Sequence, residues 1–179
     1  MHTFIMADTP IGSLLLTADD EALLRLDFMN REHECPIGMP LKINYETMLA
    51  QADKTESPVL KQAVAELAAY FAKGLQTFKV PLRLNYCGTA FQQKCWQALT
   101  GIPYGVTKSY KDMAEAVGSP KAFRAVGGAN HNNPIAIIVP CHRVVGANKK
   151  MVGYGGGMWR KQWLLEMEQQ NLGLFRTVQ

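Results

Sequence analysis

Short apolar runs separated by polar and turn-forming residues make up the first thirty residues, and such runs are the mark of short strands. Residues 3–6, 13–17 and 22–28 are predicted as three short strands, with Thr9-Pro10-Ile11-Gly12 as turn chemistry between the first two, so the segment reads as a β-meander. A polar stretch with two prolines, residues 30–40, reads as a loop. The spacing then becomes helical. Ser57-Pro58 supplies a cap and a first-turn proline, and Val59, Val64, Leu67, Ala68 and Phe71 share one face, which predicts a helix up to Gly74. Residues 79–84 are predicted as a further strand. Residues 1–87 are therefore expected to form a small α/β or α+β domain.

Beyond Cys87-Gly88 helices dominate. Thr89 can cap a helix over 90–99 that places Phe91, Cys95, Trp96 and Leu99 at helical spacing, and Gly101-Ile102-Pro103 ends it. Ser109 caps a second helix over 110–117, stopped by Gly118, and Ser119-Pro120 is expected to start a third over 120–129. Two short helices at that separation have helix-turn-helix spacing. An apolar strand over 135–139, a Gly- and Lys-rich loop over 146–157 and a last helix over 158–170 complete a winged-helix plan for residues 88–179.

Composition narrows the classes. Of 179 residues, 47% are hydrophobic and 19% charged, which supports a packed core and excludes a disordered or fibrous chain. No run approaches the ~20 apolar residues of a membrane span. The opening Met1-His2-Thr3-Phe4 lacks the basic-then-apolar order of a signal peptide. A soluble, cytoplasmic protein without a membrane partner is the expectation. Residues 1–87 hold 8 Lys+Arg against 11 Asp+Glu, and residues 88–179 hold 11 against 4. A polyanion partner for the basic half fits this asymmetry, and so do ordinary solvated faces. Cys35, Cys87, Cys95 and Cys141 contain no C-x-x-C pair, so neither a zinc site nor a redox dithiol is indicated. Gly153, Gly155, Gly156 and Gly157 lack the strand-to-helix spacing of a phosphate loop, and suit a backbone passing close to something flat.

The densest chemistry is Pro140-Cys141-His142-Arg143 at the end of the apolar run. A thiol attacks as its thiolate, and adjacent cationic or hydrogen-bonding groups favour that form. The residues alone leave two readings open: an activated nucleophile, or a core cysteine beside an exposed histidine.

Pro140-Cys141-His142-Arg143-Val144-Val145 resembles the signature of the O6-alkylguanine-DNA alkyltransferase family (methylated-DNA–protein-cysteine methyltransferases). The resemblance extends through Phe91, Trp96, Leu99, Ile102-Pro103, Gly105, Ser109-Tyr110, Arg124-Ala125-Val126-Gly127-Gly128-Ala129, Asn133-Pro134, Gly153-Tyr154, Gly156-Gly157 and Trp163-Leu164-Leu165 to Glu168, in order and spacing. Over residues 1–87 it is weak, carried by Thr9-Pro10-Ile11-Gly12.

The resemblance implies a ribonuclease H-like N-terminal domain and a winged-helix DNA-binding domain. It also implies a monomer that works on double-stranded DNA from the minor groove, with no metal or organic cofactor. The implied reaction moves an alkyl group from O6-alkylguanine, and from O4-alkylthymine, irreversibly to Cys141 after base flipping. His142 would act through a water as base, Glu168 would orient it, and Asn133 would tie the active segment together. Tyr110 would crowd the target phosphate and donate to the base. Tyr154, Gly155, Gly156, Val144 and Arg143 would bind the substrate, with carbonyls of Cys141 and Val144 accepting from the exocyclic amine. Arg124 would fill the vacated stack, and small Ala125, Gly127 and Ala129 would let the helix approach DNA. Gly155 stands where many relatives carry serine, and the run Asn130-His131-Asn132 has no implied role. A non-enzymatic alkyl-base binder is disfavoured because such relatives carry tryptophan at the cysteine position. A Cys-His peptide hydrolase is disfavoured by the helix-turn-helix setting.

Overall fold

The structure is a computed structural model that describes residues 1–29 and 44–173. The loop expected over 30–40 lies outside the described residues, as does Cys35.

Three strands, β1 (His2–Met6), β2 (Leu14–Ala18) and β3 (Leu23–Phe28), form an antiparallel meander in the order β1-β2-β3, with Phe4 opposite Leu16 and Leu16 opposite Leu26. Leu14, Leu16 and Ala18 point into the core while Leu15 and Thr17 stay half-buried, as the alternation requires. The β1–β2 turn closes by Gly12 N–H donating to the Thr9 carbonyl at 3.1 Å, with Gly12 at φ +94°, where a side chain would be strained. Short helix α1 (Tyr45–Leu49) leads to α2 (Pro58–Phe71), which covers the sheet. Ser57 accepts from Leu60 N–H at 3.4 Å, Pro58 occupies the first turn, and Leu60, Ala63, Val64 and Leu67 are fully buried.

The strand expected over 79–84 does not form. Only Leu82 bridges Leu23, because Pro81 has no N–H for a ladder and the Lys79 and Val80 amides bond the Glu66 carboxylate instead, at 2.8 and 3.1 Å.

Helix α3 (Ala90–Leu99) has a full capping box between Thr89 and Gln92, and α4 (Tyr110–Ala116) one between Ser109 and Asp112. α3, α4 and α5 (Phe123–His131) pack on one another, and the Trp96 indole N–H donates to the Ala129 carbonyl at 2.8 Å. α5 starts three residues later than expected. Gly118 N–H bonds Glu115 O and Ser119 N–H bonds Ala114 O, a Schellman closure, so Ser119 still belongs to the end of α4 and cannot cap the next helix.

The expected strand over 135–139 is a buried turn instead. Ile137 has φ +70°, and Val139 N–H donates to Ile135 O at 3.0 Å. Asn133 winds it, accepting from Ile135 N–H at 3.0 Å and donating to Val139 O at 2.8 Å. The turn docks on the meander through Leu26 N–H to Pro134 O, 2.9 Å, and Ala136 N–H to Leu26 O, 3.2 Å. A 3-10 turn at Cys141–Arg143 follows, then β5 (Val144–Val145), parallel to β4 (Lys108–Ser109). The last helix, α6 (Met158–Asn171), is anchored by Trp163 against Phe71 at a ring separation of 6.1 Å. The result is a mixed α/β chain, a small sheet with its helix followed by a helical part with a helix-turn-helix.

Candidate active site

Cys141 is delivered not by a strand but by the first position of the 3-10 turn, at the base of a walled depression, and is 6% exposed. Asn133, which shapes the preceding turn, also places Nδ2 3.1 Å from the Cys141 sulfur. Burial pushes the thiol above its ordinary value, and the Asn133 amide, the Lys161 ammonium and the Tyr154 hydroxyl oppose that push. A proton acceptor is therefore needed to reach the thiolate.

His142 is the adjacent candidate and is fully buried. Its Nε2 lies 2.9 Å from Glu168 Oε1, and Nδ1 has no partner among the described residues. Burial lowers the imidazole below its usual value, against the raising effect of Glu168, and Arg143 and Lys161 lower it further. A neutral ring that donates from Nε2 to a carboxylate must carry its lone pair on Nδ1, which is the open position.

Glu168 is the hub. Burial alone would raise its carboxyl, but His142 and Arg143 outweigh that and hold it well below the usual carboxylate range. Besides His142 it accepts from Tyr70 hydroxyl at 2.6 Å, Gly105 N–H at 2.9 Å, and Arg143 at 2.9 and 3.0 Å. Arg143 was expected to touch substrate. It points the other way, pairing with Glu168 and donating to Ile102 O at 2.7 Å, because a buried guanidinium must satisfy its donors on fixed acceptors.

Among the described residues, two cavities reach Cys141. The larger, about 250 Å³, is bounded by Tyr110, Gly127, Val152 and Gly153; the smaller, about 50 Å³, by Leu26 and Phe28 of β3 and by Gly156. Asn130, His131, Tyr154 and Gly155 border both. A Cβ on Gly156 would run into the Phe28 ring and come within 3.0 Å of Tyr154, so only glycine fits there; on Gly155 the nearest atom would be 3.5 Å away. Tyr110 sits half-buried at the start of α4 with its hydroxyl 3.4 Å from Val152 O, and burial raises its phenol. Val144 is buried and its side chain borders neither cavity; its carbonyl accepts from Lys161 Nζ at 2.7 Å.

On α5, Arg124 and Ala125 are exposed, and Arg124 borders an apolar groove with Tyr110 and Phe123. Ala129, expected at the DNA-facing surface, is buried against α3, since it follows Val126 by three residues on the inward face.

Two residues were missed from the sequence. Lys161 is fully buried and donates to Val144 O, Val152 O and Gly153 O; burial lowers it to about 8, and Cys141 pulls it back up. Arg160 is buried, donating to Ile11 O at 2.7 Å and Gly156 O at 2.6 Å, with its guanidinium 4.4 Å from the Trp159 ring centre and 5.0 Å from that of Phe28. The available signal was spacing: Lys161 precedes Glu168 by two helical turns and so shares its inward face.

Residues 90–170 match the family model described as 6-O-methylguanine DNA methyltransferase, DNA binding domain, and residues 2–84 match its ribonuclease-like domain. A methylated-DNA–protein-cysteine methyltransferase of Mycobacterium leprae is 46% identical over 165 residues, spanning 92% of this chain and 91% of that protein. The constitutive enzyme of that name in Bacillus subtilis is 41% identical over 169 residues, 94% and 96% of the two chains. The crystal structure of Mycobacterium tuberculosis OGT in complex with DNA superposes with a TM-score of 0.75 at 42% identity, covering 96% of this chain and 94% of that one.

Proposed function

This chain belongs to the 6-O-methylguanine DNA methyltransferase family, and from that premise we propose the route by which it repairs alkylated DNA. The protein is a methylated-DNA–protein-cysteine methyltransferase: it takes the alkyl group from O6-alkylguanine in DNA onto a cysteine of its own. Cys141 is that cysteine. The carrying observation is the buried relay in which Cys141 meets Asn133 at 3.1 Å and a neutral His142 is held by Glu168 at 2.9 Å.

In this reading His142 Nδ1 takes the thiol proton through one water, and the thiolate sulfur attacks the alkyl carbon in line with the C–O6 bond. The S–C bond forms as the C–O bond breaks, and the electron pair leaves on the guanine, which a proton then neutralises. The Asn133 amide and the Lys161 charge favour the thiolate. Tyr110, at the mouth of the larger cavity, donates to the base as it leaves, and Tyr154 and Gly155 hold the base. Arg124, exposed on α5, fills the gap in the stack, and Ala125 and Gly127 keep the approach close. The product thioether has no acidic proton and lies outside reversible thiol chemistry, so each molecule reacts once. A free thiol nucleophile persists in a reducing compartment, which supports a cytoplasmic location.

Intact-mass measurement after incubation with duplex DNA bearing O6-methylguanine tests the route. One methyl on Cys141 and none on Cys141→Ser is the expected result; methylation elsewhere in the wild type refutes it.

A further inference from the structure

We infer that Asn130 reads the flipped base, its side-chain amide forming hydrogen bonds to the base's polar edge that the free protein leaves unmade. The inference rests on the alkyl-transfer reading above and adds a residue that selects the substrate.

Asn130 lies near the end of α5 on the wall common to both cavities at Cys141, and is only 8% exposed. Both its Nδ2 and its Oδ1 are buried without a hydrogen-bond partner among the described residues. Its backbone is satisfied, the carbonyl accepting from Asn133 N–H at 3.2 Å, so the open valences belong to the side chain alone. Asn133, three residues on, shows the opposite state: its amide donates to Val139 O and the Cys141 sulfur and accepts from Ile135 N–H. One asparagine builds the site, and the other is left open inside it.

A buried amide unpaired at both ends is unfavourable, and an apolar residue of the same shape would remove that cost. Such a group at a cavity wall beside a nucleophile is a site waiting for its partner. The chemistry matches a nucleobase. O6-alkylguanine offers ring nitrogens as acceptors and an exocyclic amine as donor, and a carboxamide, with a donor and an acceptor side by side, pairs with such an edge. Asn130 shares that wall with the Tyr154 hydroxyl, also buried without a partner among the described residues, and with the Gly155 backbone, so the base meets several polar groups there and the Asn130 amide is the one that offers a donor and an acceptor together.

Asn130→Leu separates this role from a structural one, because the two predict opposite signs. Removing the orphan amide raises the melting temperature of the free protein, by roughly 2–4 °C. It slows methyl transfer from O6-methylguanine duplex by about tenfold, the effect of one lost neutral hydrogen bond. Transfer from free O6-benzylguanine falls by the same factor, since the contact is to the base and not to the duplex. Asn130→Ala, which adds no bulk, gives the same two losses if the leucine variant does not fold. Unchanged transfer or a loss confined to duplex DNA, in either variant, overturns the inference, and so does a folded leucine variant that melts below wild type. Wild-type protein assayed in parallel keeps the readings apart: if it takes up no methyl on Cys141, the alkyl-transfer reading itself has failed.

Discussion

Glu168→Gln tests the centre of the site, because one carboxylate there serves four partners. The substitution keeps shape and one acceptor oxygen but removes the charge that Arg143 faces at 2.9 and 3.0 Å. Arg143 is 5% exposed and has only the Ile102 carbonyl besides Glu168 as a hydrogen-bond acceptor among the described residues, so its charge is left buried and uncompensated. Breaking a buried pair from one side costs ~3–5 kcal/mol, and the retained oxygen puts this case near the lower end, about 3 kcal/mol. For a chain of this size that is a fall of roughly 6–12 °C in melting temperature. The same change gives His142 Nε2 an amide in place of a carboxylate, so its tautomer is no longer held and Nδ1 is no longer the assured base. Loss of a positioned general base slows reaction by about 10²–10⁴-fold. Thermal melting and single-turnover methyl transfer measure the two effects separately. A melting shift within about 2 °C together with a rate within threefold of wild type would refute the assignment of Glu168 as hub. The pH dependence has a defined sign. The folded carboxyl is depressed, so its stabilisation is complete above the ordinary glutamate value and is lost as pH falls toward the depressed one. The stability gap between wild type and Glu168→Gln therefore narrows on acidification below about pH 4.

Arg124→Ala is expected to slow repair in duplex DNA far more than transfer from free O6-benzylguanine; an equal loss in both reactions means that Arg124 supports the pocket and not the stack. Gly156→Ala is expected to destabilise by about 1–3 kcal/mol through its clash with Phe28, whereas Gly155→Ala, with its nearest contact at 3.5 Å, leaves the melting temperature nearly unchanged. Reversal of that order in thermal melts disproves the packing described for the loop. Lys161 has a folded value lowered to about 8 from 10.5, so the unfolded chain binds more protons between those values and this group makes stability rise with pH across them. Wild type should accordingly gain on Lys161→Met from pH 8 to 10 in chemical denaturation, and a constant difference contradicts a buried ammonium.

Local signals were legible in the chain wherever one residue decides one hydrogen bond. Ser57, Thr89 and Ser109 cap helices as their side chains dictate, Gly12 and Gly118 turn where positive φ is needed, and the meander follows from short apolar runs broken by turn residues. The signature around Cys141 likewise pointed to Cys141, His142, Asn133 and Glu168 as a set, and the fold brings them together, with His142 2.9 Å from Glu168 and Asn133 3.1 Å from the Cys141 sulfur. What the chain did not disclose depended on partners distant in sequence. The apolar run 135–139 suits a strand or a buried turn equally, and the Asn133 amide, bonding both of its ends, makes it a turn. Residues 79–84 fail as a strand because Glu66, thirteen residues earlier, takes the Lys79 amide while Pro81 offers no donor. Arg143 is a substrate contact on the family resemblance, yet Glu168, twenty-five residues later, turns it away. Lys161 and Arg160 carry no role in the chain read by itself, and the fold buries them on carbonyls of Val144, Val152, Ile11 and Gly156. Capping and turn chemistry act within a few residues and are written in the chain; the satisfaction of buried charge is a property of the assembled interior, and only the tertiary structure decides it.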